Sequence, residues 1–273
     1  MCDVEICASM QMQIHKNFNL TWGWLGPNRV TVYASKVAAV AGMHPYVSQR
    51  DLVDEYSKVV CGDPSTGWLS QSDRFDTAIA RLPKKARLEV DNLLLSNQGS
   101  TSASSAPIVD AAAGIRDITP DALAAIKHHL YTESGKQQES IVRRHTELSS
   151  GISICVDECQ KFRSVPWTTL SNGIQVSVGG KHDGIDTTTH RIVEIKTRQR
   201  RFLGVPEYEL LQLHAYMVIF GLRDAVLIES YNGETREHSV MFNGELWSRV
   251  TDSMTEFMTH LLQHCAADSA ADS

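Results

Sequence analysis

The stretch GGKHDGIDTTTHRIVEIKTRQRR, residues 179–201, decides how this chain is read. In RIVEIKT, apolar and charged residues alternate. On an extended strand Glu194 and Lys196 therefore share one face, and Val193 and Ile195 turn to the other, toward an apolar core. Upstream, Asp183 and Gly184 end a preceding strand. The short polar run DTTTH, 186–190, has the composition of a hairpin turn. Folding back at that turn sets Asp183 beside Glu194. Two neighbouring carboxylates repel each other, and holding them together usually requires a cation. Oxygen ligands in that arrangement suit Mg2+ or Mn2+. A lysine on the same face can orient or deprotonate a water, or stabilise developing negative charge. Cation, water and lysine together suit the hydrolysis of a phosphodiester.

Working outward, the runs ISICVD, IQVSVGG, AVLIES and EHSVMF read as further strands. A helix is expected from Glu207 to Gly221, and a closing one over ELWSRVTDSMTEFMTHLLQHC. The front half is helical. Ser35 serves as an N-cap for KVAAVA, which Gly42 ends. The spacing of Ser48 to Asp51 resembles a capping box before QRDLVDEYSKVV. A helical stretch over 72–96 bends at Pro83. Thr119-Pro120 starts another helix, and a separate helix follows Gly135. The order of helices and strands predicts an α/β (α+β) fold: a central mixed sheet flanked by helices, with a helical N-terminal region. The expected organisation is a helical region over 1–96, a flexible linker or insertion over 97–114, a catalytic core over 115–265 and a disordered tail over 266–273.

The chain has 273 residues, 42% of them hydrophobic, and a net charge of −6, which argues against histone-like coating of nucleic acid. The charge is unevenly spread, however. Between Arg191 and Arg201 stand Arg191, Lys196, Arg198, Arg200 and Arg201 against the single acid Glu194. That local excess suits a groove that tracks phosphates. No apolar run has the length of a membrane helix, and the acidic start MCDVEICASM lacks a secretory signal. The expected location is intracellular, cytoplasmic or nuclear, with no membrane partner. Six cysteines are too sparse for a disulfide scaffold, so free thiols are expected. Cys155 and Cys159 have no second close pair, which argues against a zinc or iron–sulfur site. Trp22, Trp24 and Trp68 are aromatic but carry no assignment.

GGKHDG and VEIKTR resemble the PD-(D/E)XK nuclease superfamily, in its RecB-like and lambda-exonuclease (YqaJ-like) branch. That family carries Asp-Gly after a glycine, then a strand ending in Glu-Ile-Lys-Thr. The resemblance extends over about 135–229. It includes an acidic residue a few positions after a glycine, here Glu139 after Gly135, and a Gln and Tyr four apart on a helix, here Gln212 and Tyr216. It implies a PD-(D/E)XK nuclease core that acts as a metal-dependent deoxyribonuclease, an exonuclease working on linear DNA with ends in replication, recombination or repair. Glu139, Asp183, Glu194 and the backbone carbonyl of Ile195 would hold one or two Mg2+ or Mn2+ ions, with Lys196 and Gln212 completing the catalytic set. VTVYASKVAAVAGMHPY resembles the opening helix of lambda-type exonucleases. This implies that Ser35 and Lys36 contact phosphate, and that the helical front forms one wall of a DNA channel. Arg198, Arg200, Arg201 and Tyr216 are further candidates for nucleic-acid contact. No iron–sulfur cluster is expected, because the C-terminal cysteine cluster that some relatives carry is absent. The resemblance leaves room for a homo-oligomer or a recombination or replication partner protein. His182 stands where the family has a Pro or a small apolar residue. It keeps open an RNA endonuclease of the cap-snatching type, and a non-catalytic nucleic-acid-binding module with this fold is the third reading.

Overall fold

The computed structural model describes residues 29–60, 71–96, 105–156 and 162–271. Trp22, Trp24, Trp68, Cys159 and residues 97–104 of the expected linker lie outside the described residues. The chain divides into two compact units, one of 1–67 with 146–273 and one of 68–145.

The first unit holds all the described strands. β1 (Arg29–Tyr33) runs into a 3-10 turn (Ala34–Lys36), α1 (Val37–Val40) and α2 (Gln49–Val60). The second unit contains α3 (Gln71–Ala80), α4 (Lys84–Ser96), α5 (Ser105–Ala113) and most of α6 (Pro120–Ser150). The chain then returns to the first unit with β2 (Ile154–Cys155), β3 (Arg163–Thr169), β4 (Gln175–Gly180), β5 (Gly184–Asp186) and β6 (Arg191–Thr197). It ends with α7 (Glu207–Phe220), β7 (Asp224–Tyr231), β8 (Glu234–Met241) and α8 (Gly244–Ala271). The α/β class expected from the sequence is the one observed.

Two sheets form, in the orders β1-β4-β3 and β2-β5-β6-β7-β8. In the first, β1 is parallel and β3 antiparallel to β4. In the second, β6 and β7 are parallel and the other pairs antiparallel. Parallel neighbours need a crossover, and α7 provides it. This helix packs against β3 and β4 of one sheet, β6 and β7 of the other, and the 3-10 turn and α1. Its sequence, EYELLQLHAYMVIF, is accordingly apolar almost all round, as a helix covered on every side requires. Leu211, Leu213 and Ala215 are fully buried. Gly221 ends it in the left-handed conformation, at φ 69°. α8 covers α1 and α2.

In the second unit Ile79, Leu82, Ala86, Val90, Ala112, Ala122 and Ile126 form one apolar core. Thr119 caps α6, accepting the Ala122 N–H at 3.2 Å.

Several local expectations change. The stretch 72–96 is two helices, broken at Leu82 and Pro83. Residues 105–113 of the expected linker are helical, with Ile108 and Ala112 buried, and α8 runs to Ala271 into the expected tail. No break occurs at Gly135. One glycine costs a helix only about 1 kcal/mol, which the strong helix formers on either side outweigh. Ser35 lies inside the 3-10 turn, and neither that turn nor α1 has a side-chain cap. The capping box is confirmed: Ser48 N–H donates to Asp51 Oδ2 at 2.9 Å, and Asp51 N–H to Ser48 Oγ at 3.3 Å. Cys265 on α8 is disulfide-bonded, against the expectation of free thiols throughout.

Candidate active site

The site is built by a hairpin whose turn is held by one buried acid. Asp186 accepts hydrogen bonds from the Thr188 N–H at 3.0 Å, from the Thr189 hydroxyl and from Arg191 Nε at 3.3 Å. Burial alone would raise its pKa. These donors outweigh burial and hold the carboxyl below the usual range, so the turn is fastened by a charged group. The turn sets the register Gly184↔Val193 between β5 and β6. Asp183 is thereby brought alongside Glu194, and its Oδ2 accepts the Ile195 N–H at 2.7 Å. The N–H and C=O of one strand residue face the same edge. The Ile195 carbonyl therefore also points to the side where β5 has ended and Asp183 stands.

Glycines make this approach possible at two points. A Cβ on Gly184 would run into Ile154 Cγ2 on β2, and the Cys155 carbonyl lies 3.2 Å from the same position. A Cβ on Gly180 would come within 2.7 Å of the Tyr216 ring and 3.0 Å of Ala34 Cβ. The glycines of GGKHDG thus admit β2 on one side and α7 with the 3-10 turn on the other.

Glu194 is buried, at 4% exposure, behind the strand's apolar face of Val193 and Ile195. Its Oε1 accepts from Lys196 Nζ at 2.8 Å and from Gln212 Nε2 at 3.0 Å. Gln212 Nε2 also donates to the Tyr216 hydroxyl at 2.9 Å. Gln212 and Tyr216 lie one turn apart on α7, so the crossover helix reaches the strand's charged face with two side chains. Burial works against the charge on Lys196. The carboxylate of Glu194 outweighs it, with help from Asp183 and Glu209, and holds the ammonium above its ordinary range. The Lys196 ammonium is thus held in place by the Glu194 carboxylate at 2.8 Å.

The structure thus gathers Asp183, Glu194, Ile195, Lys196, Gln212 and Tyr216 at the end of β6, Asp183 bonded to the Ile195 main chain and the other four side chains bonded to one another. Glu139 lies half-buried on α6, within the second unit. Ser35 is exposed and Lys36 half-buried on the 3-10 turn. Arg200 and Arg201 are exposed in the loop after β6. Arg198 points inward. Its guanidinium holds Glu209 in a fork at 2.6 Å on both oxygens, and its Nε donates to Glu229 Oε1 at 2.6 Å. Glu229 also accepts the Leu203 and Gly204 N–H groups at 2.9 and 3.0 Å, and sits 2.9 Å from His238 Nε2. Sequence reading had no signal for Glu209 or Glu229, whose partner is set by fold alone. His182 is fully buried. Its ring meets Phe220 edge-on at 4.3 Å and Tyr216 at 6.3 Å, and among the described residues neither nitrogen has a side-chain hydrogen-bond partner. Burial, with Arg163 and Lys181, lowers its pKa to about 4. A contact with the Gly184 backbone opposes this.

Among the described residues no group of three or more His, Cys, Asp and Glu side chains is placed to hold a metal ion. The oxygens of Asp183 and Glu194 with the Ile195 carbonyl nevertheless fit a magnesium-type ion, which commonly takes one or two carboxylates and completes its shell with water and substrate phosphate. Among the described residues no helix is long and apolar enough to cross a membrane.

Solved structures similar to this chain include an alkaline exonuclease (LHK-Exo) from Laribacter hongkongensis. It is 12% identical, with 89% of this chain and 93% of that one covered and a TM-score of 0.47. A phage-related exonuclease from Haemophilus somnus 129PT is 11% identical, covering 87% and 96%, with a TM-score of 0.43. The protein SSO0001 is 11% identical, covering 93% and 83%, at 0.42. No protein-family model and no curated protein matches the chain.

Proposed function

We propose that this chain is a metal-dependent DNA nuclease that hydrolyses phosphodiester bonds from DNA ends. The observation that carries the reading is the hydrogen-bonded group of Asp183, Glu194, Lys196 and Gln212 at the end of β6. It joins residues that the motif resemblance singled out from separate parts of the chain. Asp183, Glu194 and the Ile195 carbonyl would hold Mg2+ or Mn2+. When bound, such an ion supplies positive charge and Lewis acidity to the phosphodiester.

The chain's own groups do the rest. Gln212 and Lys196 donate to the same Glu194 oxygen and fix that carboxylate's orientation. The Ile195 N–H does the same for Asp183. Lys196, charged and half-buried, is suited to orient a water and to stabilise negative charge that grows on the phosphate in the transition state. In-line attack would leave a 3′ hydroxyl and a 5′ phosphate. Tyr216, held by Gln212, supports the amide rather than the phosphate. Arg200 and Arg201 are the outward cations suited to the DNA backbone.

The test is cleavage of end-labelled linear DNA, closed circular DNA and matched RNA, with Mg2+, Mn2+ or EDTA. Loss of linear DNA only, absent in EDTA and in Glu194→Ala, is expected. Lys196→Ala should fold and bind DNA but cleave at least about 100-fold more slowly, the usual cost of removing one preorganised charge-stabilising donor. Cleavage of circles would make the enzyme an endonuclease, and cleavage of RNA alone would replace the substrate. Metal-independent turnover, or full activity in Glu194→Ala, would refute the mechanism.

A further inference from the structure

Three aromatic rings outside the hydrolytic group converge from two elements. His44 and Tyr46 lie between α1 and α2, and Tyr208 lies in the first turn of α7. His44 is 5.0 Å from Tyr208 and 5.9 Å from Tyr46, and Tyr46 is 6.3 Å from Tyr208, all centroid to centroid. These are ordinary spacings for a packed aromatic cluster. Here, however, the outermost ring is left open, with Tyr46 at 82% exposure.

The loop that carries Tyr46 is fixed. His44 Nδ1 accepts the N–H groups of both Tyr46 and Val47 at 3.1 Å, which places the ring proton on Nε2. Gln49 Nε2 ties the next residues back to the Val40 carbonyl at 2.6 Å, and the Ser48–Asp51 box closes the turn. A large ring presented to solvent on a preorganised loop binds a flat partner at little entropic cost. Nearby charge acts on two of the rings. Burial and then Lys36 lower the pKa of His44. Burial and Glu209 raise that of Tyr208, against the pull of Arg198 and Lys196. Tyr208 also lies one helical turn before Gln212 on α7, and its neighbour Glu209 holds Arg198 at 2.6 Å, which sets the rings beside the hydrolytic group.

We propose that His44, Tyr46 and Tyr208 form a stacking subsite for an unpaired nucleobase of a DNA strand, next to the hydrolytic group. The proposal rests on the nuclease reading and names the strand form that the site holds: single-stranded or frayed, with the base turned onto Tyr46. Stacking on an aromatic side chain is tolerant of base identity, so the subsite would hold the strand without selecting sequence.

The test compares two fluorescein-labelled strands of equal length and charge, one of normal nucleotides and one abasic. Binding is followed by anisotropy in Ca2+ at fixed salt. The wild type should bind the normal strand about 5- to 150-fold more tightly than the abasic one, the range expected for one stacked base. In Tyr46→Ala the ratio should fall toward one through the normal strand alone, and Tyr46→Phe should keep it. As a check that does not depend on the variants folding, a strand with 5-iodouracil should photocrosslink to Tyr46 or Tyr208 in the wild type. Equal binding of both strands, an unchanged ratio in Tyr46→Ala, or crosslinks elsewhere would overturn the subsite while leaving the nuclease reading intact. No binding of either strand, with no cleavage in Mg2+, would overturn both.

Discussion

His182 stands beside Asp183 in the sequence, yet its ring is packed against Phe220 and Tyr216, and among the described residues neither nitrogen meets a side-chain partner. A buried polar atom left without a partner costs about 1–3 kcal/mol, whereas an apolar group of similar shape costs nothing of the kind. His182→Leu should therefore unfold at the same temperature as the wild type or higher, by calorimetry. A loss equivalent to about 2 kcal/mol would show that the ring nitrogens are bonded after all. The contrast with Lys196 is instructive. Two residues of similar polarity sit close along the chain to the same hairpin, and burial without a partner makes one neutral. A carboxylate at 2.8 Å keeps the other charged.

At the scale of elements, the loop from β6 to α7 is fastened by charge. Arg198 bridges Glu209 of α7 and Glu229 of β7, and Glu229 takes two main-chain N–H groups of that loop. The Arg236 guanidinium lies 4.0 Å from the Phe202 ring and adds a further hold. Burial opposes ionisation of Glu229. The Leu203 N–H, Arg198 and His238 outweigh it and keep its carboxyl below its ordinary value of 4.5. A lowered folded pKa means that this stabilisation is complete above the ordinary value and is lost as pH falls through the folded one. Glu229→Gln should therefore cost about 3 kcal/mol at neutral pH. In denaturant titrations its deficit from the wild type should shrink on acidification below about pH 4.5. A deficit independent of pH would assign it to shape instead of charge. Such a clamp leaves no trace in sequence. RIVEIKT is legible because alternation is local, and the capping box of Ser48 and Asp51 because its partners are three residues apart. β1 was missed because RVTVY becomes a strand only by pairing with Gln175–Gly179 far along the chain. Likewise Glu209 and Glu229 acquire their meaning from the crossover that places Glu229 opposite Lys196.

For the molecule as a whole, the net charge of −6 repels a polyanion at long range, so the proposed DNA binding would depend on few cations. With Arg198 turned inward, the exposed Arg200 and Arg201 are the natural candidates. Replacing both by Ala should weaken duplex binding and make the slope of log affinity against log salt shallower by about 2, one unit for each lost phosphate contact. An unchanged slope would place the phosphate contacts elsewhere. The long-range pairing of β1 with β4 also has a consequence for how the polypeptide matures. The first sheet cannot close until about residue 180 has been made, so β1, with Val30 and Val32 buried in the finished fold, has to wait for β4. The helices of residues 71–126, whose core contacts are local, carry no such delay. During synthesis they are expected to settle first, while the apolar strand β1 waits for its partner. That interval is when the nascent protein is most exposed to aggregation and most in need of a chaperone.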